Sequence, residues 1–131
     1  TDAVTSLRTR LADETDVAVA YLYGSRARGT ARPDSDYDVA VLFSAPPDHR
    51  RTLELAADLG PRVDLVDLGE APIPLAYRVV RDGILLVSRD DHARIDHRVR
   101  TIDRYLDMAP MRQTLATGLR HRIEEGRFGR P

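Results

Sequence analysis

Two largely apolar runs constrain the fold of this 131-residue chain more than any other feature. The runs VAVAYLY (17–23) and YDVAVLF (37–43) have the length of β-strands and predict two buried strands. A Gly-Ser pair breaks the chain directly after the first run, and Asp36 and Asp38 stand where the second run begins. A domain built only for stability has little use for two acids at that place, so we expect them to bind something.

Strand and helix patterns alternate along the rest of the chain. The segments 63–68 (VDLVDL) and 84–87 predict two further strands, each ended by turn residues. Together these patterns predict one domain over 1–131 of the α/β (α+β) class, in which helices flank a small mixed sheet of about four strands. Its core spans about 17–88 and its helical C-terminus about 89–127. Helices are predicted at 3–14, 46–59, 72–81, 89–109 and 111–127.

Composition excludes several kinds of site. The chain has no cysteine, so it can form neither disulfides nor thiolate metal sites, and no apolar run approaches the ~20 residues of a membrane span. We therefore expect a cytoplasmic protein. All 20 basic residues are arginine, so no lysine can form a Schiff base or bind phosphate as a point charge. The net charge of −1 argues against direct nucleic-acid binding.

The Gly24-Ser25 pair is a candidate phosphate-binding turn. A glycine after a buried strand lets the backbone turn sharply and lets a ligand approach closely. Ser25 would begin a short helix through Ala27, whose free N–H groups and dipole favour a phosphate. Arg26 and Arg28 flank this turn and are candidates for binding the same anion, although arginines on an exposed turn are often only solvated.

The aspartates form the second candidate site. In a strand, residues two apart project from the same face, so Asp36 and Asp38 can bind the same hard divalent cation. Asp64, in the middle of the third run, would complete a three-carboxylate cluster if its strand lies beside 37–43. An acid inside a buried strand is costly unless it is paired or binds a metal. Asp67 has the opposite parity and is expected to face away. A phosphate turn beside such acids is typical of two-metal phosphoryl or nucleotidyl transfer.

These motifs resemble a known superfamily. The pattern G-S-x-A-x-G (24–29), S-D-x-D (35–38) and V-D-L (63–65) resembles the DNA polymerase β nucleotidyltransferase superfamily. The small size and the stretch from 63 to 90 are similar to the minimal nucleotidyltransferase (MNT) antitoxins of HEPN/MNT toxin–antitoxin pairs. The resemblance covers roughly residues 17–108, and no motif position is missing.

The resemblance implies a function and a role for each motif residue. Gly24 and Ser25 would bind the nucleotide phosphates, while Asp36 and Asp38 would bind Mg²⁺. Asp64 would complete a second metal site and help to deprotonate the acceptor. The implied reaction transfers AMP from ATP to a tyrosine hydroxyl of a HEPN ribonuclease toxin, which it silences within a toxin–antitoxin complex.

Two other functions remain open from the residues alone. One is a nucleotidyltransferase acting on a small hydroxylated molecule, such as an aminoglycoside, although the chain has little room for an acceptor-binding domain. The other is an antitoxin that neutralises its partner by binding alone, which would not need the acids. The C-terminal helices, with apolar stripes between arginines, are expected either to cover the sheet or to dock a partner.

Overall fold

Four strands and five helices alternate in the computed structural model of this chain, which describes residues 2–108. Each strand lies within one residue of its predicted bounds, because glycine or polar residues interrupt the apolar runs at both ends. The strands are β1 (Val17–Tyr23), β2 (Tyr37–Phe43), β3 (Val63–Asp67) and β4 (Ile84–Ser88). The helices are α1 (Ala3–Ala12), α2 (Ser25–Arg28), α3 (His49–Leu59), α4 (Ile73–Asp82) and α5 (Asp91–Asp107).

The sheet is mixed and has the strand order β3-β2-β1-β4. β1 pairs antiparallel with β2 and β4, whereas β2 and β3 run parallel. The two most apolar runs are therefore the two central strands, and the predicted α/β class with a four-stranded mixed sheet is confirmed. In the register, Tyr23 pairs with Asp38, and Asp38 pairs with Asp64. The end of β1 and the starts of β2 and β3 thus meet at one margin of the sheet.

Helices cover both faces of the central strands. Leucines of α1 and α3 pack on one face, and apolar residues of α4 pack on the other. α5 lies against α4 and β1. This two-sided burial explains why β1 and β2 lack the alternation of a strand with one wet face. The buried helix residues are Leu7, Leu11, Leu55 and Leu59 on the first face, and Ala76 and Val79 on the second.

Helix α3 begins later than its prolines suggested. The pair Pro46-Pro47 predicted a start there, but the helix begins at His49. Asp48 is the N-cap, and its carboxylate accepts the backbone N–H of Arg51 at 2.8 Å. An aspartate that satisfies a first-turn N–H group defines a helix start more strongly than a preceding proline does.

Arg51 connects α3 to the segment that leads into β1. Its Nε donates to Asp16 Oδ2 at 2.7 Å, and its Nη2 donates to Glu14 Oε2 at 2.9 Å. The hydrogen bonds from Arg51 lower the pKa of Asp16, against the opposing effect of partial burial. This pair of contacts is structural and lies away from the margin where Asp38 and Asp64 meet.

The outer edge of β4 is contacted by α1. Arg8 donates from Nε to the carbonyl oxygen of Leu86 at 3.1 Å and from Nη2 to that of Leu85 at 3.2 Å. Ile84 and Leu85 remain 40% and 38% exposed on this strand. The guanidinium therefore occupies backbone acceptors that a further strand would otherwise use.

Helix α5 leaves part of its apolar stripe exposed. Ile95 and Val99 are each 52% exposed and Leu106 is 60% exposed, so these side chains do not cover the sheet within the described residues. The further helix predicted at 111–127 lies outside the described residues. No helix within residues 2–108 has the length and apolarity needed to cross a membrane.

Candidate active site

Gly24 holds the backbone in a conformation that other residues avoid. It follows β1 with φ 71° and ψ −153°, and the N–H groups of Ala27 and Arg28 donate to its carbonyl oxygen at 3.1 Å each. The Asp38 carboxylate lies directly against it, since a Cβ on Gly24 would be 2.2 Å from Asp38 Oδ2. The short helix α2 starts at Ser25, as predicted. The backbone N–H groups of Ser25 and Arg26, which come before these donors, have no acceptor within the helix.

Asp36, Asp38 and Asp64 lie at one margin of the sheet. Asp36 immediately precedes β2, and Asp64 is the register partner of Asp38 on β3. Partial burial is the largest cause that raises the pKa of Asp38, followed by the negative charges of Asp64 and Asp36. The three carboxylates therefore interact electrostatically, as the predicted adjacency of the strands requires.

The surroundings of Asp64 differ from the expectation of a buried acid. β3 is an edge strand, and Asp64 is exposed. The acid therefore does not need a partner in order to be tolerated, and its exposure makes it accessible from solvent. Asp67, which was expected to face away from the cluster, ends the strand and accepts the backbone N–H of Gly69 at 3.1 Å. Burial raises the pKa of Asp67.

The donor set fits a hard divalent cation in type and charge. Carboxylate oxygens are the ligands that Mg²⁺ prefers, and a cation would offset the repulsion that raises the pKa of Asp38. Asp36, Asp38 and Asp64 accept no hydrogen bond and form no ion pair with any residue in 2–108, so their oxygens remain available. In the same part of the chain, no three His, Asp or Glu side chains converge closely enough to form a group that could hold an ion. The carboxylates are thus gathered at one margin without forming a closed cage.

A cleft beside Gly24 runs between α2 and α4. Tyr23, Ala27 and Leu75 form its apolar part, and Arg28 and Arg78 contribute positive charge. Burial raises the pKa of Tyr23 to about 12, with smaller contributions from Asp38 and Asp64, while Arg78 opposes the shift. The Tyr23 side of the cleft therefore lies close enough to Asp38 and Asp64 for their charges to act on it. The run 17–23 predicted a buried strand, but Tyr23 at its end is only partly buried.

Arg78 lines the cleft, although no motif in the sequence marks it as a site residue. Leu75, Arg78 and Asp82 line the same side of the cleft and lie three and four residues apart on α4, which places them on one helix face. That spacing was visible in the sequence, but it carries no functional meaning until the packing of α4 beside α2 is known.

Arg26 and Arg28, both predicted as candidates for binding the phosphate, have different surroundings in the structure. Arg28 is exposed and forms no hydrogen bond or ion pair with the described residues. The Arg26 guanidinium instead donates to backbone carbonyl oxygens of the loop before β2 and lies 4.3 Å from the centre of the Tyr37 ring. Tyr37 packs partly buried against the core.

Comparison with known proteins identifies the relatives of this chain. Residues 6–92 match the family described as "Polymerase beta, Nucleotidyltransferase". The chain is 37% identical over 101 residues to the protein adenylyltransferase MntA of Shewanella oneidensis, which covers 72% of this chain and 70% of MntA.

Several solved structures that resemble this chain are toxin–antitoxin complexes. One is a crystal structure of a toxin–antitoxin with AMP-PNP, with a TM-score of 0.71 and 28% identity over 91% of this chain and 98% of the matched chain. Another is the tri-AMPylated Shewanella oneidensis HEPN toxin in complex with MNT antitoxin, with a TM-score of 0.68 and 27% identity over 88% of this chain and 95% of the other. The MntA–HepT toxin–antitoxin structure matches with a TM-score of 0.68 and 27% identity, covering 88% and 96%.

Proposed function

Because this chain belongs to the Polymerase beta nucleotidyltransferase family, we propose that it transfers AMP from ATP to a tyrosine hydroxyl of a HEPN ribonuclease toxin. The modification neutralises the toxin, so the chain is the antitoxin of the pair and binds its partner as a hetero-oligomer. The observation that carries the proposal is the contact of the Asp38 carboxylate with Gly24, with Asp64 beside it on β3. The similarity of the chain to MntA and to chains in toxin–antitoxin complexes supports a HEPN toxin as the acceptor.

Each group at the sheet margin has a role in this reaction. The first-turn N–H groups after Gly24, including that of Ser25, and the guanidinium of Arg28 bind the triphosphate of ATP. Arg78 adds positive charge from the opposite side of the cleft. Asp36, Asp38 and Asp64 hold Mg²⁺, in two sites. When bound, the metal neutralises phosphate charge and lowers the pKa of the attacking hydroxyl.

The acceptor hydroxyl attacks the α-phosphorus, and the bond from that phosphorus to the bridging oxygen of the β-phosphate breaks. AMP becomes esterified to the acceptor oxygen, and pyrophosphate leaves with the bonding electron pair. The hydroxyl proton passes to a carboxylate oxygen of Asp64, whose exposure on the edge strand leaves it within reach of a bulky acceptor. An open margin of this kind suits a protein substrate better than a small molecule that has to be enclosed.

Intact-mass measurement tests the proposal directly. The chain is incubated with the HEPN protein encoded beside it, ATP and Mg²⁺, and peptide fragmentation then locates the modified residue. We expect one or more AMP additions on tyrosine, and none with Asp38→Asn. Asp67→Asn is the matched control, because it removes a carboxylate from the same region outside the cluster and should leave transfer intact.

The other outcomes would contradict the proposal in different ways. A tight complex with no added mass would show that binding alone neutralises the toxin. Absence of both complex and added mass, with nucleotide transfer to hydroxylated small molecules, would establish the small-acceptor alternative. Transfer without dependence on a divalent cation would refute the assignment of Asp36, Asp38 and Asp64 as metal ligands.

A further inference from the structure

Two arginines from different parts of the chain bind the same two carbonyl oxygens in the loop before β2. Arg26 Nη2 donates to the carbonyl oxygen of Ser35 at 2.8 Å and of Pro33 at 3.3 Å. Arg62 Nη2 donates to the same oxygens, at 3.0 Å and 2.7 Å. A carbonyl oxygen can accept two hydrogen bonds, so both acceptors are fully used. Arg26 belongs to α2, whereas Arg62 directly precedes β3.

The Arg62 backbone and the Arg26 side chain also fix the residue that follows Asp36. The backbone N–H of Tyr37 donates to the carbonyl oxygen of Arg62 at 2.8 Å, and the Tyr37 ring lies under the guanidinium of Arg26. Asp36 is therefore held on both sides, at Ser35 and at Tyr37. Asp38, in contrast, lies within β2 and is held by the sheet itself, where it pairs with Tyr23 and Asp64.

The loop has few other means of holding this geometry. Its tip is exposed and polar. Apart from the arginines, it is held by two hydrogen bonds between Arg32 and Ser35 and by one from the N–H of Thr30 to the carbonyl oxygen of Ser25. Asp36 is itself exposed and lies just before the hydrogen-bonded part of β2. Without the arginines, little in residues 30–35 would define where the first carboxylate of the site lies.

We infer that Arg26 and Arg62 are positioning residues that set the Asp36 carboxylate for metal binding beside Asp38, and that Arg26 is not a phosphate ligand. This inference rests on the proposed function, because it assigns the purpose of the contacts to the metal site. Charge-assisted hydrogen bonds from a planar guanidinium resist rotation better than neutral ones, which suits the task of orienting a short loop. Since Arg26 follows Gly24-Ser25 within α2, the contacts also join the phosphate turn to the metal-binding acids.

Direct Mn²⁺ binding tests the inference without relying on catalysis. Free Mn²⁺ is measured by electron paramagnetic resonance in titrations of the whole chain, with and without ATP, for Arg26→Ala, Arg62→Ala and the double variant. We expect each single substitution to weaken Mn²⁺ binding about 10-fold, the range seen when partners that orient metal ligands are removed. The double variant should lose more than the product of the two single factors, because either arginine alone still holds both carbonyl oxygens.

Two further variants separate positioning from general destabilisation. Arg62→Lys retains a charged donor and should recover most of the Mn²⁺ affinity. Arg51→Ala removes an arginine that binds Glu14 and Asp16 elsewhere, so it should lower thermal stability without changing Mn²⁺ affinity.

The outcomes distinguish this inference from the proposed function. Unchanged Mn²⁺ affinity in the double variant, or no Mn²⁺ binding by the unsubstituted chain, would overturn the inference. A loss of Mn²⁺ affinity equal to that in Arg51→Ala would reduce the effect to folding and would also overturn it. Mn²⁺ binding that depends on both arginines, in a chain that transfers no AMP to its HEPN partner, would uphold the inference and refute the proposed acceptor.

Discussion

Replacing Gly24 with alanine should displace the Asp38 carboxylate, a proposed metal ligand, by a predictable amount. The added Cβ would lie 2.2 Å from Asp38 Oδ2 and 3.2 Å from Asp38 Cγ. Since non-bonded carbon contacts settle at about 3.5 Å, the carboxylate has to move by roughly 1 Å. A misplacement of about 1 Å at a reacting centre can cost on the order of 100-fold in rate. We therefore expect Gly24→Ala to lower the rate of AMP transfer by about that factor.

The same substitution should also lower stability. Gly24 has φ 71° and ψ −153°, a region that is essentially restricted to glycine, and forcing another residue into it costs about 1–3 kcal/mol. For a chain of this size, a loss of about 2 kcal/mol lowers Tm by roughly 6–12 °C. Circular dichroism at increasing temperature measures this loss, and intact-mass kinetics with the HEPN partner at saturating ATP and Mg²⁺ measure the rate.

Gly29→Ala is the matched control for backbone strain. Gly29 also has a positive φ, 74°, but a Cβ there would meet no atom within 4 Å. It should therefore lose stability, by about 1–2 kcal/mol, while its transfer rate stays close to that of the unsubstituted chain. If Gly24→Ala and Gly29→Ala transferred AMP at similar rates, the contact between Gly24 and Asp38 would have no part in the reaction, and the argument would be refuted.

Two further predictions concern charge. Because Arg51 lowers the pKa of Asp16, the stability that this pair contributes should be present above about pH 4 and disappear as the pH falls through the lowered pKa of Asp16. The difference in Tm between the unsubstituted chain and Arg51→Ala should therefore shrink from pH 7 to pH 2. A constant difference would contradict the assignment. Because burial and neighbouring carboxylates raise the pKa of Asp38, its charge destabilises the metal-free fold at neutral pH. Asp38→Asn should therefore raise Tm in EDTA and abolish the increase in Tm that Mg²⁺ produces. An unchanged response of Tm to Mg²⁺ would exclude Asp38 as a ligand.

Local patterns in the sequence were sufficient to predict the strands and the Gly24–Asp38 neighbourhood. The continuous apolar runs defined β1 and β2 to the residue, because only strands covered on both faces can be so uniformly apolar. The exposure of Asp64 was not predictable in this way. It depends on β3 lying at the edge of the sheet, and strand order is decided by long-range pairing that no local pattern encodes.

The different roles of the arginines also depend on tertiary structure. Arg26 and Arg28 stand two residues apart in one short helix, yet only Arg26 reaches the loop before β2. Arg62 and Arg78 come from separate elements and belong to no motif. The glycine, serine and aspartates proposed to bind ligands can be recognised by type and spacing, whereas the placement of Arg62 and Arg78 depends on how the chain folds back on itself.

The contact between Arg8 and the edge of β4 bears on how the chain avoids aggregation during synthesis. α1 is made well before β4, so the guanidinium that covers the carbonyl oxygens of Leu85 and Leu86 already exists when this edge first forms. A strand that carries exposed Ile84 and Leu85 would otherwise offer nascent neighbouring chains a template for intermolecular pairing. The order of elements along the chain thus places Arg8 ahead of the exposed strand edge whose carbonyl oxygens it binds.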